Sequence, residues 1–201
     1  MTEKERMISG RLYRADDPEL LAGRARARVL TERFNAIREA DKAQREPILR
    51  ELLGSVGGRI YMEPTFHCDY GYNICVGDNF YANYDCIILD VAPVTIGCNV
   101  FFAPRVGVYT AGHPIDAGVR NEELEFGKPI TIGDDVWIGG NVVINPGVSI
   151  GSDVVIGSGS VVTRDIPDHV IAVGNPCRVL RSITQEDRAH WLKLREEYYN
   201  G

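Results

Sequence analysis

The sequence has no apolar run approaching the roughly 18 residues that a membrane-spanning helix needs, which excludes such a helix. Its five cysteines (Cys68, Cys75, Cys86, Cys98, Cys177) are odd in number and include no Cys-x-x-Cys pair. That argues against a disulfide framework or a zinc cage, and for reduced thiols in a cytoplasm. The opening MTEKERMISG has no apolar core behind its charges, so no secretory leader is expected. Basic residues are scarce through the middle, where residues 61–173 carry 4 Lys/Arg against 14 Asp/Glu. Such a segment cannot lay a basic stripe along phosphates, which disfavours nucleic-acid binding. The remaining balance is ordinary: 201 residues, 44% apolar and 25% charged, suit one large globular domain, with or without a small appendage. Glycine is abundant, at 21 residues, and its positions recur instead of scattering.

Residues 1–60 read as a helical segment with a net charge of +3. Asp17-Pro18-Glu19 is a helix start, with Asp as N-cap and Pro at the first helical position. Leu20, Leu21, Val29, Leu30, Phe34 and Ile37 follow at helical spacing. A second helix is expected from Gln44 to Leu53, with Ile48, Leu52 and Leu53 on one side and Gly54 as its stop. Arg24, Arg26 and Arg28 read most simply as a solvated face.

Residues 61–173 carry a different period. Ile132, Ile138, Ile144, Ile150, Ile156 and Val162 recur every six residues. Four positions after each stands a small or β-branched residue: Val136, Val142, Val148, Val154, Ser160 and Ile166. Gly133, Gly139, Gly151 and Gly157 directly follow four of these aliphatics, and Val76-Gly77 and Ile96-Gly97 obey the same rule earlier. A period of six is neither 3.6 nor 2, and it indicates a solenoid: three hexads make a triangular coil with a short strand on each side. The hexad aliphatic points inward, and the glycine beside it supplies either φ > 0 or close backbone approach. Ile96 to Ile132 is 36 residues and keeps phase, whereas Val76 to Ile96 is 20, two more than three hexads.

The phased residues pause between Val108 and Ile132, so a loop over 110–129 is expected to project from the coil. His113, followed by Pro114, lies inside it and is the catalytic candidate among four histidines. His67 and Asp69 share a strand face, but two ligands do not make a metal site, and no metal is expected. His169 and His190 read as surface residues. Residues 184–199 form a short amphipathic helix expected to pack back on the solenoid through Trp191 and Leu194.

Leu12-Tyr13-Arg14, the stretch EPTFHCDYGYNICVGDNFYANYDCIILD (63–90), TAGHPID (110–116), GKPITIGDDVWIGGNVVINPGVSIG (127–151) and GNPCRVLR (174–181) together resemble the maltose/galactoside O-acetyltransferase family of hexapeptide-repeat acyltransferases, with its nodulation acetyltransferase relatives. The resemblance covers nearly the whole chain. It implies a mainly β protein: a left-handed parallel β-helix with an N-terminal helical segment and a short C-terminal helix, an exception to the usual right-handed crossover. It also implies a homotrimer with active sites between subunits, acetyl-CoA as co-substrate and a small sugar as acceptor.

Within that resemblance His113 occupies the position of the catalytic histidine. A neutral imidazole, with an ordinary pKa near ~6.5, can take the proton of a sugar hydroxyl as it attacks the thioester. The competing route, a cysteine-linked acetyl-enzyme, lacks a thiol paired with a histidine in any evident motif. Asn83 matches the acceptor site best, Asp69, Asp90 and Tyr81 less closely, and Arg24 and Asp16 match its N-terminal part approximately. Carboxylates and amides of this kind suit sugar hydroxyls, although Asn and Asp also fill solenoid turns. Galactoside-type relatives carry a second acidic residue after the Asp90 position; here Val91 stands, and Cys86, Asp90 and Tyr70-Gly71-Tyr72 look closer to the maltose branch. For acetyl-CoA, Gly140, Ser158 and Gly159 leave room for a pantetheine arm, Trp137 offers a flat face, and Thr163 is a further cofactor-binding candidate. Arg164, Arg178 and Arg181 are the natural phosphate partners, and Gly174-Asn175-Pro176 resembles the family's closing loop. The alternatives are the same fold acetylating a galactoside, a chito-oligosaccharide or an amino sugar, and a noncatalytic β-helix binding protein.

Overall fold

The computed structural model describes residues 1–201. Its body is a parallel β-helix of triangular section. The first face stacks Ser55–Val56, Ile74–Val76, Val94–Ile96, Ile130–Ile132 and Ser149–Ile150. The second stacks Ile60–Met62, Phe80–Ala82, Phe101–Phe102, Val136–Ile138, Val154–Ile156 and Val170–Val173. The third stacks Phe66–Cys68, Cys86–Leu89, Gly107–Tyr109, Val143–Ile144 and Val161–Val162.

The hexad period converts directly into this stacking. Ile96 pairs with Ile132 and Ile132 with Ile150 on one face, and Phe102 with Ile138 and Ile138 with Ile156 on the next. All six phased aliphatics from Ile132 to Val162 are buried, and so are all six residues four positions after them. Each strand alternates inward and outward, so a hexad delivers two inward side chains per side of the triangle.

The glycines after the aliphatics serve close approach, not φ > 0. A Cβ at Gly77 would lie 2.6 Å from the carbonyl carbon of Gly97, and one at Gly133 would lie 2.8 Å from that of Gly151. The left-handed conformation falls two residues later in the coil, at Asn79, Asn99, Asp135 and Asp153. Asn and Asp tolerate that region through local side-chain hydrogen bonds. There the Asn79 amide donates to Asn99, and Asn99 to Asp135, each over 2.9 Å.

Three helices precede the coil: α1 (Glu3–Ile8), α2 (Pro18–Asn35) and α3 (Arg45–Leu52). The expected Asp17 cap forms, its carboxylate accepting from Glu19 N at 2.9 Å. Ala27, Leu30 and Phe34 of α2 join Ile48, Leu49 and Leu52 of α3 against Ile60, Phe66 and Ile74, and so close the apolar interior at its first coil. The first solenoid strand begins at Ser55, within the segment read as helical. Helix α1 and a 3-10 turn over Glu39–Gln44 escaped the periodicity reading because neither is long enough to show a period. At the far end, Arg178–Ser182 returns antiparallel to Val170–Val173 after the cis Asn175–Pro176 bond.

The stretch 110–129 leaves the coil as expected and is itself ordered. It contains the strand Ala111–Gly112, helix α4 (Ala117–Asn121) and the strand Leu124–Gly127. Leu124–Gly127 pairs antiparallel with Ala111–Gly112 on one edge and with Tyr13–Arg14 on the other. The C-terminal helix α5 (Gln185–Asn200) departs from expectation. It buries no residue, and Trp191 and Leu194 are 68% and 40% exposed. Its Thr184–Asp187 capping box and the Asp187–Arg181 ion pair fix its first turn, while Tyr198 and Tyr199 are exposed with Trp191 and Leu194.

Candidate functional site

Two corners of the triangular coil hold most of the sequence-derived candidates. At the corner from the third face to the first, the first two coils hold the segments 69–73 and 90–93, each two residues longer than the hexad phase allows. The next coil holds the 110–129 excursion at the same corner. The two surplus residues between Val76 and Ile96 therefore widen the side of the coil from which the His113 segment emerges. Thr110, fully buried, ties these levels together: its hydroxyl donates to Leu89 O at 2.6 Å and accepts from Ala92 N at 3.0 Å.

His113 follows directly on Ala111–Gly112 and faces a cavity of about 430 Å³. Asp16, Arg24, Arg120, Glu123 and Glu125 supply its polar lining, with Ala15 and Leu21 as apolar neighbours. The sequence-derived candidates His113, Asp16 and Arg24 thus meet, although about 90 residues separate them. Arg24 is held on two sides, donating to Tyr70 Oη at 2.8 Å and to Ala15 O at 2.6 Å. Glu125 accepts from the buried Tyr13 hydroxyl at 2.7 Å; burial, then this carboxylate, hold the Tyr13 hydroxyl far above the ordinary phenol range. Burial raises the Asp69 carboxyl, with Arg24 opposing and Glu125 reinforcing that rise. Arg120, Glu123 and Glu125 were missed by the sequence reading. Their only signal is membership of the interrupting loop, and which of that loop's charges turn inward depends on pairing with Tyr13–Arg14.

Asp90, expected among the acceptor residues, is enclosed within the chain and does not line the His113 cavity. It is 0% exposed, and its carboxylate accepts from Asp69 N at 3.0 Å, Tyr70 N at 2.8 Å and Asn73 N at 3.3 Å. Three donors occupy most of the roughly four lone-pair sites of a carboxylate, and full burial keeps a hydroxyl from reaching the rest within this chain. Burial pushes its pKa up to about 7 against those same hydrogen bonds. Tyr81 also stands away from the His113 cavity. It lies on the outer side of the second face, stacked on Tyr61 at 6.0 Å and tilted against Phe101 at 6.3 Å, with Trp137 paired beyond Phe101.

The other corner, between the second and third faces, holds Gly140 and Ser158 at one level of the stack and Asn83 one position earlier, level with Gly139 and Gly157. Asn83 N donates to Phe102 O, Asn141 N to Pro104 O and Gly159 N to Gly140 O, one coil to the next. Gly140 N also donates to Ser158 Oγ at 3.1 Å. A Cβ at Gly140 would meet nothing nearer than 3.4 Å, and at Gly159 nothing within 4 Å, so the column borders open space. Thr163 and Arg164 sit instead at the third-to-first corner. Arg178 is exposed, its guanidinium donating to Cys177 O. Arg181 is paired with Asp187 through both terminal nitrogens, at 2.5 and 2.8 Å. No group of three His, Cys, Asp or Glu side chains able to hold a metal forms in the fold.

A triangular parallel β-helix of hexads, capped by helices and interrupted by one loop carrying a histidine, defines the hexapeptide-repeat transferase class. Residues 6–57 match the maltose acetyltransferase hexapeptide capping motif, and residues 129–164 match the bacterial transferase hexapeptide (six repeats). Galactoside O-acetyltransferase of Escherichia coli (strain K12) is 42% identical over 193 residues, covering 96% of this chain and 95% of that protein. The crystal structure of a maltose O-acetyltransferase from Clostridium difficile 630 superposes with a TM-score of 0.91 at 57% identity, covering 92% and 98% of the two chains. That of galactoside acetyltransferase in complex with coenzyme A gives 0.91 at 43% identity, covering 94% of each. The chain belongs to the maltose/galactoside O-acetyltransferase family of hexapeptide-repeat acetyltransferases, and its coil is the left-handed parallel β-helix of that family.

Proposed function

We propose that the protein is an acetyl-CoA-dependent O-acetyltransferase that moves an acetyl group to a hydroxyl of a small sugar of the maltose or glucose type. The observation that carries this reading is the end point of the one interruption in the hexad stack: His113 facing Asp16, Arg24 and Glu125 across a cavity. Alternating acidic and basic groups of this kind accept from and donate to adjacent hydroxyls of a sugar. In direct transfer, His113 takes the hydroxyl proton while the oxygen attacks the thioester carbonyl. The carbon–sulfur bond then breaks, and the imidazolium returns the proton to the departing thiolate. A cysteine-linked intermediate is disfavoured because no cysteine lines the His113 cavity, and burial raises the thiols of Cys68, Cys86 and Cys177.

The cofactor arm suits the open column at Gly140, Ser158 and Gly159, with Trp137 beside it and Thr163, Arg164 and Arg178 as outlying contacts. Arg181 is available to a phosphate only if it leaves Asp187. Within one chain, His113 and this column occupy different corners with the third face between them. Three copies placed head to tail would bring the His113 corner of one against the Asn83–Gly140–Ser158 corner of the next and close the ring. That supports a homotrimer with sites between subunits. Five free thiols agree with a reducing, cytoplasmic setting.

The test is thiol release from acetyl-CoA across a panel of sugars, with His113→Ala alongside. Release with maltose or glucose is expected, and the variant should lose about 10²- to 10⁴-fold in turnover while still binding acetyl-CoA. Release with no sugar would favour a binding protein of the same fold, and full turnover by the variant would remove His113 from the mechanism.

A further inference from the structure

The widened corner at the first two coils has a buried centre. Asp90 stands in the second of the long segments, and its carboxylate holds the first by three backbone N–H groups, those of Asp69, Tyr70 and Asn73. The grip is reciprocal, because Asn73 Nδ2 donates to Asp90 O at 2.7 Å. The segment so held bears Tyr70, whose hydroxyl accepts from Arg24, and the Arg24 guanidinium also lies 5.8 Å from the Tyr70 ring centroid. Arg24 in turn lines the His113 cavity. After the 110–129 excursion the same corner is two residues shorter in one coil and four in the last, and no side chain there accepts three backbone donors.

We infer that Asp90 is a positioning residue for acceptor binding, acting through the Asp69–Asn73 segment and Tyr70 to set the Arg24 guanidinium in the cavity. The inference rests on the reading of that cavity as the acceptor site. The chain of contacts is short and directional: carboxylate to backbone, backbone to Tyr70, Tyr70 hydroxyl to Arg24. Asp90 touches neither the acceptor nor the reacting atoms. Removing its charge should therefore change how well the acceptor is held, not how the thioester is bound or how His113 moves a proton. The carboxylate satisfies three backbone N–H groups that an apolar residue would leave unpaired, so it fixes the segment's path as well as filling space.

The test compares the full-length wild type, Asp90→Asn and Tyr70→Phe. Asp90→Asn places an amide NH₂ against one of three backbone donors, and Tyr70→Phe deletes only the Arg24 partner while leaving the clamp intact. Both are expected to raise KM for the sugar about tenfold, the effect of one charge-assisted hydrogen bond, with kcat and KM for acetyl-CoA within about twofold of wild type. Amide exchange at Tyr70 and Asn73 should accelerate in Asp90→Asn and not in Tyr70→Phe. An unchanged sugar KM in Tyr70→Phe overturns the inference even if Asp90→Asn does not fold. So does a parallel loss in both substrates' KM and kcat in a folded Asp90→Asn. If the wild type acetylates no sugar, the cavity reading itself fails, and the amide-exchange difference still tests whether Asp90 holds the segment.

Discussion

At the residue scale, Asp90 shows how a side chain of the right type at a family position can serve a different end. Its acidity and placement read as a sugar contact, and only the fold reveals a buried carboxylate committed to three backbone donors. The same burial has a consequence for stability. With its pKa pushed up to about 7 in the fold, against about 3.9 in an unfolded chain, Asp90 binds a proton when folded that the unfolded chain has released. Its contribution to stability therefore falls as pH rises from about 4 to about 7 and is flat above that. The groups acting on it are Asp69, whose charge raises it, and the Tyr70 and Asn73 amides, which lower it. Denaturation midpoints measured across that range should decline less steeply in Asp90→Asn than in the wild type; equal slopes would contradict the burial argument. Arg181 carries a related lesson, since a cation free in the sequence is paired with Asp187 in the fold.

At the scale of the coil, glycines directly after a hexad aliphatic and one position later are of two kinds. Gly133 lies where a Cβ would strike the backbone of the next coil, whereas Gly140 has 3.4 Å of clearance. Gly133→Ala is expected to destabilise the protein by about 1–3 kcal/mol, the range for overpacking, as read from denaturant unfolding. Gly140→Ala should leave that midpoint within experimental spread and instead raise KM for acetyl-CoA several-fold. The opposite pattern would mean that the open column is not the cofactor track. Helix α5 was legible as a helix from its spacing, but its docking was not. Its exposed Trp191 and Leu194 read as a core face only on the assumption that the chain supplies a partner. Deleting residues 184–201 should accordingly leave the thermal midpoint of the β-helix nearly unchanged.

At the scale of the molecule, the separation of His113 from Asn83, Gly140 and Ser158 makes a quantitative prediction. His113→Ala and Asn83→Ala, each expected to be nearly inactive alone, should complement when co-expressed. In a ring where each site draws His113 from one copy and Asn83 from the next, random mixing leaves about a quarter of the sites intact. Recovery near that fraction of wild-type turnover is the expected result, and none would place the whole site within one chain. The sequence by itself determined the coil, because a six-residue period admits only one way to bury two aliphatics per side, and a local repeat imposes its own nearest-neighbour contacts. It also marked the place of the chemistry, since an interruption of a strict period is visible without coordinates. Tertiary structure decided what that interruption meets. Tyr13–Arg14 must pair with Leu124–Gly127 before Glu125 faces Arg24, and Asp90 must be enclosed before its role changes. Those are contacts between segments 20 to 110 residues apart, and no local periodicity encodes them.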